Sequence, residues 1–278
     1  MKRRKMMAIL LTAALAGTLA LGCSSKEETN KATDEKTEAE AASDEEPVEL
    51  LIAAAASLEY SYEDELIPMF EEQNPNITVK GTYDSSGKLQ TQIEEGIEAD
   101  VFMSAATKQM DALVEESLVD TDSVVNLLEN KIVLITSADS DLELNDFTDI
   151  TKAETIAIGD PASVPVGQYS EEALTNLGLW EEVSAKASLG TNVTEVLNWV
   201  AEGSADAGIV YATDAATTDQ VKVVAEAPAD SLAAPAIYPV GIVSASANKD
   251  AAQKFVEFLQ SDEAIKVFEE YGFIKYTE

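Results

Sequence analysis

The chain has 278 residues with 52 Asp and Glu against 18 Lys and Arg, a formal net charge of −34. That balance excludes nucleic acid as a partner, because phosphate attraction supplies most of such binding. There is no histidine, one cysteine, and no arginine beyond Arg3 and Arg4, so no Ser–His pair, Cys–His pair or imidazole metal site can be assembled.

Lys2, Arg3, Arg4 and Lys5 precede an uncharged apolar run from Met6 to Leu21, the pattern of a secretory signal too short to span a membrane. The run ends in "LALGC", which resembles a bacterial lipobox with Ala20 where that pattern prefers Leu. The resemblance implies a lipoprotein signal, residues 1–23, cleaved just before Cys23, which is acylated, becomes the mature N-terminus and anchors the chain to the membrane on its outer side. An acylated lone cysteine leaves no intrachain disulfide. Residues 24–47 hold three Lys, nine Asp or Glu, and no Val, Ile, Leu or aromatic residue. Such a stretch buries too little apolar area to offset chain entropy and reads as a disordered, solvated tether.

From Val48 onward, strand and helix patterns alternate. "ELLIAAAAS" reads as a buried strand and runs into a helix with Leu58, Tyr62, Leu66 and Phe70 on one side. "NITVKGTY" and "ADVFMSA" are further strands, each followed by a helix, and "KIVLIT" and "ETIAIGD" follow. Then come the helical "SEEALTNLGLWEEV" and "VTEVLNWVAEG", the strands "ADAGIVY", "QVKVVAEAP" and "AIYPVGIVSAS", and one last helix from Asp250 to Gly272. The alternation predicts α/β lobes with parallel sheets and helices on both faces.

In open α/β sheets a ligand sits where strands end and helices begin. Five such junctions stand out. Ser57 follows four alanines and would ordinarily cap its own helix. "YDSSGKL" has two serines where one cap suffices, and Gly87 permits close backbone approach. "GDPASVPVGQY" is a long loop stiffened by two prolines. Thr191 or Asn192 caps a helix beginning near Val193. Tyr211 ends a strand, with its hydroxyl either in water or in a cleft. "DSDLELND" lacks the central Gly and closing Glu of a calcium loop, and neither a Walker loop nor a dinucleotide fingerprint is present.

Taken together, "AAASL", "SSGKLQTQIEEG", "ADVFMSA", "IAIGDPASVPVGQY", "GIVYATDA", "YPVGIV" and "FEEYGF" resemble, in order and spacing, the periplasmic molybdate-binding proteins that serve ABC importers. The resemblance covers Glu49 to Lys275. It implies a two-lobed type II periplasmic-binding-protein fold with two crossover strands, lobe one at 49–131 plus 236–278 and lobe two at 132–235. It places the oxyanion against Ser57, Ser86, Val166, Val193 and Tyr211, with main-chain N–H donors at the two valines. Val166 falls where the family has a smaller residue. The implied protein is a monomeric receptor for molybdate and tungstate that hands its ligand to a membrane permease and uses no cofactor and no cation site. Other readings are the same scaffold for sulfate or an organic carboxylate, a hydrolase with Ser86 or Ser57 as nucleophile and Lys88 as base, and a structural surface lipoprotein.

An acidic protein can hold a dianion with neutral donors. Hydroxyls and backbone N–H groups at helix starts carry partial positive charge. Five charge-assisted hydrogen bonds give very roughly 8–15 kcal/mol before ordering costs, which spans micromolar affinity or tighter. Exposed carboxylates are screened beyond about 8–10 Å in physiological salt.

Overall fold

The computed structural model describes residues 46–277; Cys23, the apolar leader and most of the acidic tether lie outside them. Eleven strands occur among the described residues: β1 (Val48–Ala55), β2 (Ile77–Asp84), β3 (Val101–Met103), β4 (Val125–Asn130), β5 (Ile132–Ser137), β6 (Ile156–Gly159), β7 (Ala187–Gly190), β8 (Ala207–Tyr211), β9 (Val221–Glu226), β10 (Ala236–Ile242) and β11 (Ile274–Lys275). They form two sheets, ordered β11-β4-β10-β3-β1-β2 and β7-β6-β8-β5-β9. Only Lys131 separates β4 from β5 where the chain passes from the first sheet to the second. It returns through residues 227–235, between β9 and β10.

The α/β alternation is present, but the sheets are mixed rather than parallel. β1 pairs in parallel with β2 and β3, and β6 in parallel with β7 and β8. The strands that carry the chain across run against their neighbours: β5 is antiparallel to β8 and β9, and β10 to β3 and β4. A strand entering a sheet from the other sheet has no helical crossover to turn it parallel.

β1 supplies the reason the first sheet is buried. Leu50, Ile52 and the alanines from Ala53 to Ala56 are inaccessible, with helices packed on both faces. The segment after it begins as a tight turn at Ala56–Leu58 and winds on to Gln73. Leu58, Tyr62, Leu66 and Phe70 are all fully buried along it. Within it, Tyr62–Leu66 is a wider π turn directly before Pro68. A proline has no N–H and its ring crowds the carbonyl four residues back, so the ladder is displaced there.

Three features depart from the sequence reading. β4 and β7 are strands that it leaves unassigned: β4 has Val125, Leu127 and Leu128 interrupted by Asn126 and followed by Glu129 and Asn130, with no alternation to read, and β7 is an edge strand with Leu189 exposed. The final helix is two, Lys249–Leu259 and Asp262–Glu270, because the Ser261 hydroxyl caps the second by accepting from the Ala264 N–H at 3.2 Å. The helix after β6 starts at Pro165, not Ser170. Proline at a first helical position loses no hydrogen bond and is pre-set for the turn.

Asp214, one turn beyond β8, is buried, and its Oδ2 has no hydrogen-bond partner. Burial pushes its carboxyl up to about 7, against the opposing pull of the Tyr211 and Asp214 backbone N–H groups. The native state therefore keeps this proton at pH values where the unfolded chain releases it. Stability contributed here is greatest near pH 4 and falls as the pH rises to about 7. Asp214→Asn is expected to be more stable than the parent by a margin that grows from pH 4 to pH 7 and then levels off. Urea unfolding across that range checks it, and a pH-independent difference contradicts it.

Candidate functional site

Six strand ends meet between the two sheets. β1 ends before Ser57, β2 at Asp84, β3 just before Ser104 and Ala105, β6 before the Val164–Val166 turn, β7 before Val193, and β8 at Tyr211. Together they enclose a small cavity of about 210 Å³, its mouth included. Ala55, Ala56, Ser57, Asp84, Ser85, Ser86, Ala105, Val164, Pro165, Val166, Val193 and Tyr211 line it. All five residues singled out by the sequence reading are thus brought to one place.

Each is placed by a local cause. Ser57 does not cap its helix; its Oγ lies 2.9 Å from the Tyr238 hydroxyl. Ser86 opens the helix Ser86–Glu94 and is fully buried, and its Oγ accepts the Ala105 N–H at 2.9 Å. With that lone pair occupied, the Ser86 proton is left to face the cavity. Val166 is the first residue with an N–H in the helix Pro165–Asn176, because Pro165 has none. Its side chain is buried in the core, so its bulk is accommodated away from the mouth.

Val193 opens the helix Val193–Ala201. Asn192 caps that helix by accepting from the Glu195 N–H at 3.0 Å, so the Val193 N–H is left outside the cap and at the positive end of the helix. Tyr211 is buried and its hydroxyl donates to the Ala105 carbonyl at 3.2 Å, reaching from the second sheet to the first. Burial raises its phenol well above the usual range, so it stays protonated and able to donate.

The residues from the two sheets are in contact. The Gly87 N–H donates to the Ser163 carbonyl at 3.0 Å, and the Gln109 amide donates to Gln168 at 3.2 Å. A Cβ on Gly87 would sit 2.3 Å from the Ser163 oxygen, so the approach requires glycine. Gly167 plays the same part within the second sheet, where a Cβ would meet the Gly159 carbonyl.

Sequence reasoning gave Asp84 no role, gave Asn192 only a capping role, and of the two serines at 85 and 86 carried only Ser86 to the site. Asp84 is a carboxylate lining a cavity otherwise made of neutral groups. Three donors meet its Oδ1: the Ser85 N–H at 2.8 Å, the Lys88 ammonium at 3.1 Å and the Asn192 amide at 3.3 Å. Lys88 is therefore committed to Asp84 and does not line the cavity. Ser85 is buried, and its Oγ has no hydrogen-bond partner although the residue lines the cavity. A buried hydroxyl without a partner costs about 1–3 kcal/mol, which a ligand oxygen would recover. Among the described residues no group of three or more Cys, Asp or Glu is placed to hold a metal ion.

The arrangement suits a small anion held by hydroxyls and helix-start N–H groups. Comparison with known proteins agrees in kind. Residues 50–274 match the family described as bacterial extracellular solute-binding protein. The putative ABC transporter substrate-binding lipoprotein YvgL of Bacillus subtilis is 40% identical over 269 residues, 97% of this chain and 98% of that protein. The molybdate-binding protein ModA of Haemophilus influenzae is 42% identical over 209 residues, 73% of this chain and 82% of its own. A solved substrate-binding domain of a putative molybdenum ABC transporter from Clostridium difficile superposes with a TM-score of 0.65 at 42% identity, over 83% of this chain and all of that one. The chain belongs to the bacterial extracellular solute-binding protein family, with the molybdate-binding proteins of ABC importers as its kin.

Proposed function

We propose that this protein is an extracytoplasmic receptor that binds molybdate, and tungstate with it, between two lobes and delivers it to an ABC permease. The observation that carries this reading is the convergence of neutral donors from both sheets on one small cavity lined by no cationic side chain. Ser57 and Ser86 contribute hydroxyls, Val166 and Val193 contribute N–H groups, Ser85 adds a further hydroxyl, and Tyr211 contributes one once its proton turns from the Ala105 carbonyl to the ligand. The lobes are 49–131 plus 236–278 and 132–235, one around each sheet. Anchoring through an acylated Cys23 fits the lipoprotein name of the Bacillus subtilis relative and the apolar leader. No cofactor enters this scheme.

Tetrahedral dianions fit such a site better than protonated ones. A hydrogen phosphate needs an acceptor for its proton, and Asp84 is the only carboxylate lining the cavity among the described residues, its Oδ1 taking three donors and its Oδ2 held by the Lys88 ammonium at 3.4 Å. The hydrolase reading loses its base, because Lys88 is paired with Asp84. The family is one of solute-binding proteins.

Two variants test the reading by calorimetry with molybdate, tungstate, sulfate and phosphate. Ser86→Ala is expected to weaken molybdate binding by about 1–3 kcal/mol, since it removes a donor to a charged group. Unchanged affinity removes Ser86 from the site, and tight sulfate binding without molybdate heat replaces the ligand. Gly87→Val is expected to fold with the parent's urea midpoint yet bind at least tenfold more weakly, because its side chain blocks the approach to Ser163. Small-angle scattering that still shows full ligand-induced compaction in this variant contradicts that account.

A further inference from the structure

A serine hydroxyl is ambivalent: it both donates and accepts. Behind Ser57 the structure holds a chain of groups that removes the ambiguity. Asn130, the last residue of β4, accepts the Lys131 N–H on its Oδ1 at 2.9 Å. That contact fixes which way the amide faces. Its Nδ2 then lies 2.8 Å from Thr213 Oγ1 and 3.2 Å from the Tyr238 hydroxyl. An amide nitrogen only donates, so the Tyr238 oxygen is an acceptor at this contact. The Tyr238 proton needs another acceptor, and Ser57 Oγ stands 2.9 Å away. The neighbouring Tyr211 hydroxyl donates to the Ala105 carbonyl and also interacts with Tyr238, a competing partner that the Tyr211→Phe background separates.

Tyr238 is held for this task. It is fully buried, with its ring against Tyr211 at 5.6 Å and Phe273 at 5.3 Å. It sits at a break in register between β10 and β4, at Tyr238/Pro239, and such irregularities re-aim side chains next to sites. Burial keeps its phenol protonated. Asn130 is likewise buried, at the point where the chain leaves the first sheet.

We propose that Asn130 and Tyr238 are positioning residues that turn the Ser57 hydroxyl proton toward the bound oxyanion. The proton order runs from the Asn130 amide to the Tyr238 oxygen, from the Tyr238 hydroxyl to Ser57 Oγ, and from the Ser57 hydroxyl into the cavity. Ser86 receives the same treatment from the Ala105 N–H. Each serine thereby has one lone pair occupied from behind and its proton free to turn to the cavity, the polarity that suits a fully deprotonated oxyanion. The proposal rests on the oxyanion reading and adds two residues that never touch the ligand.

The test is a set of thermodynamic cycles by calorimetry with molybdate. Tyr238→Phe removes one oxygen and keeps the ring in its packing. It is expected to weaken binding about 5- to 30-fold, the effect of one charge-assisted hydrogen bond made less directional. In a Ser57→Ala background the same change should cost less than twofold, and in a Tyr211→Phe background it should keep its full effect. Asn130→Asp sets an acceptor where a donor stood, drawing the Tyr238 proton away from Ser57, and should cost at least as much as Tyr238→Phe. Full cost in the Ser57→Ala background, coupling to Tyr211 instead, or unchanged affinity in Tyr238→Phe overturns the relay while molybdate binding by the parent chain stands. A parent chain that gives no heat with molybdate, tungstate or sulfate overturns the oxyanion reading itself, and the relay with it.

Discussion

A buried polar group must find a partner, and at this cavity the partners on offer are almost all donors. Hydroxyls and helix-start N–H groups from six strand ends face one another across about 210 Å³ with no ammonium among them. Taken singly, each group is an ordinary feature of an α/β protein. Their joint orientation is what gives the cavity a sign, because dipoles fixed by backbone do not need to reorganise when an anion arrives. The fold's other demands follow from holding them fixed. The alanines at the end of β1 leave backbone uncovered beside Ser57, and Gly87 lets one helix start reach the Ser163 carbonyl. Asn192 spends its side chain on its own helix and on Asp84 and so ties a helix start of one sheet to a strand end of the other.

The acidity of the chain and the polarity of this cavity are compatible because they act at different ranges. Lysines elsewhere pair with carboxylates at the surface, as Lys80 with Glu49 and Lys131 with Glu226, where such pairs contribute roughly 0–1 kcal/mol. Surface charge sets solubility and the rate of anion encounter. Affinity belongs to groups within hydrogen-bond reach, and there the one carboxylate, Asp84, is offset by three donors.

Much of this was legible in the residues. The five junctions were found because a strand that ends in small or hydroxyl residues before a helix is a local pattern, and the resemblance to molybdate-binding proteins picked out Ser57, Ser86, Val166, Val193 and Tyr211 within them. The stripe Leu58, Tyr62, Leu66, Phe70 was found because helical period survives even a π turn. What escaped was long-range. Ser57 and Tyr238 are 181 residues apart, and Asn130 and Tyr238 are 108 apart, so no local pattern links them. Tyr238 was seen as part of a family-like run, but nothing in that run says which way its hydroxyl points. β7 was missed because an edge strand of four residues with its side chains half in water has no period to read. Strand direction was missed because it depends on where the chain crosses between sheets.

The single residue between β4 and β5 has a mechanical corollary. Two peptide links, from Asn130 to Lys131 and on to Ile132, span at most about 7 Å, so on this side the sheets are held at a pivot. Groups travel along arcs in proportion to their distance from that pivot. Tyr211 is paired in register with Ile132, the first residue past it, so its hydroxyl belongs to the part of the second sheet nearest that pivot.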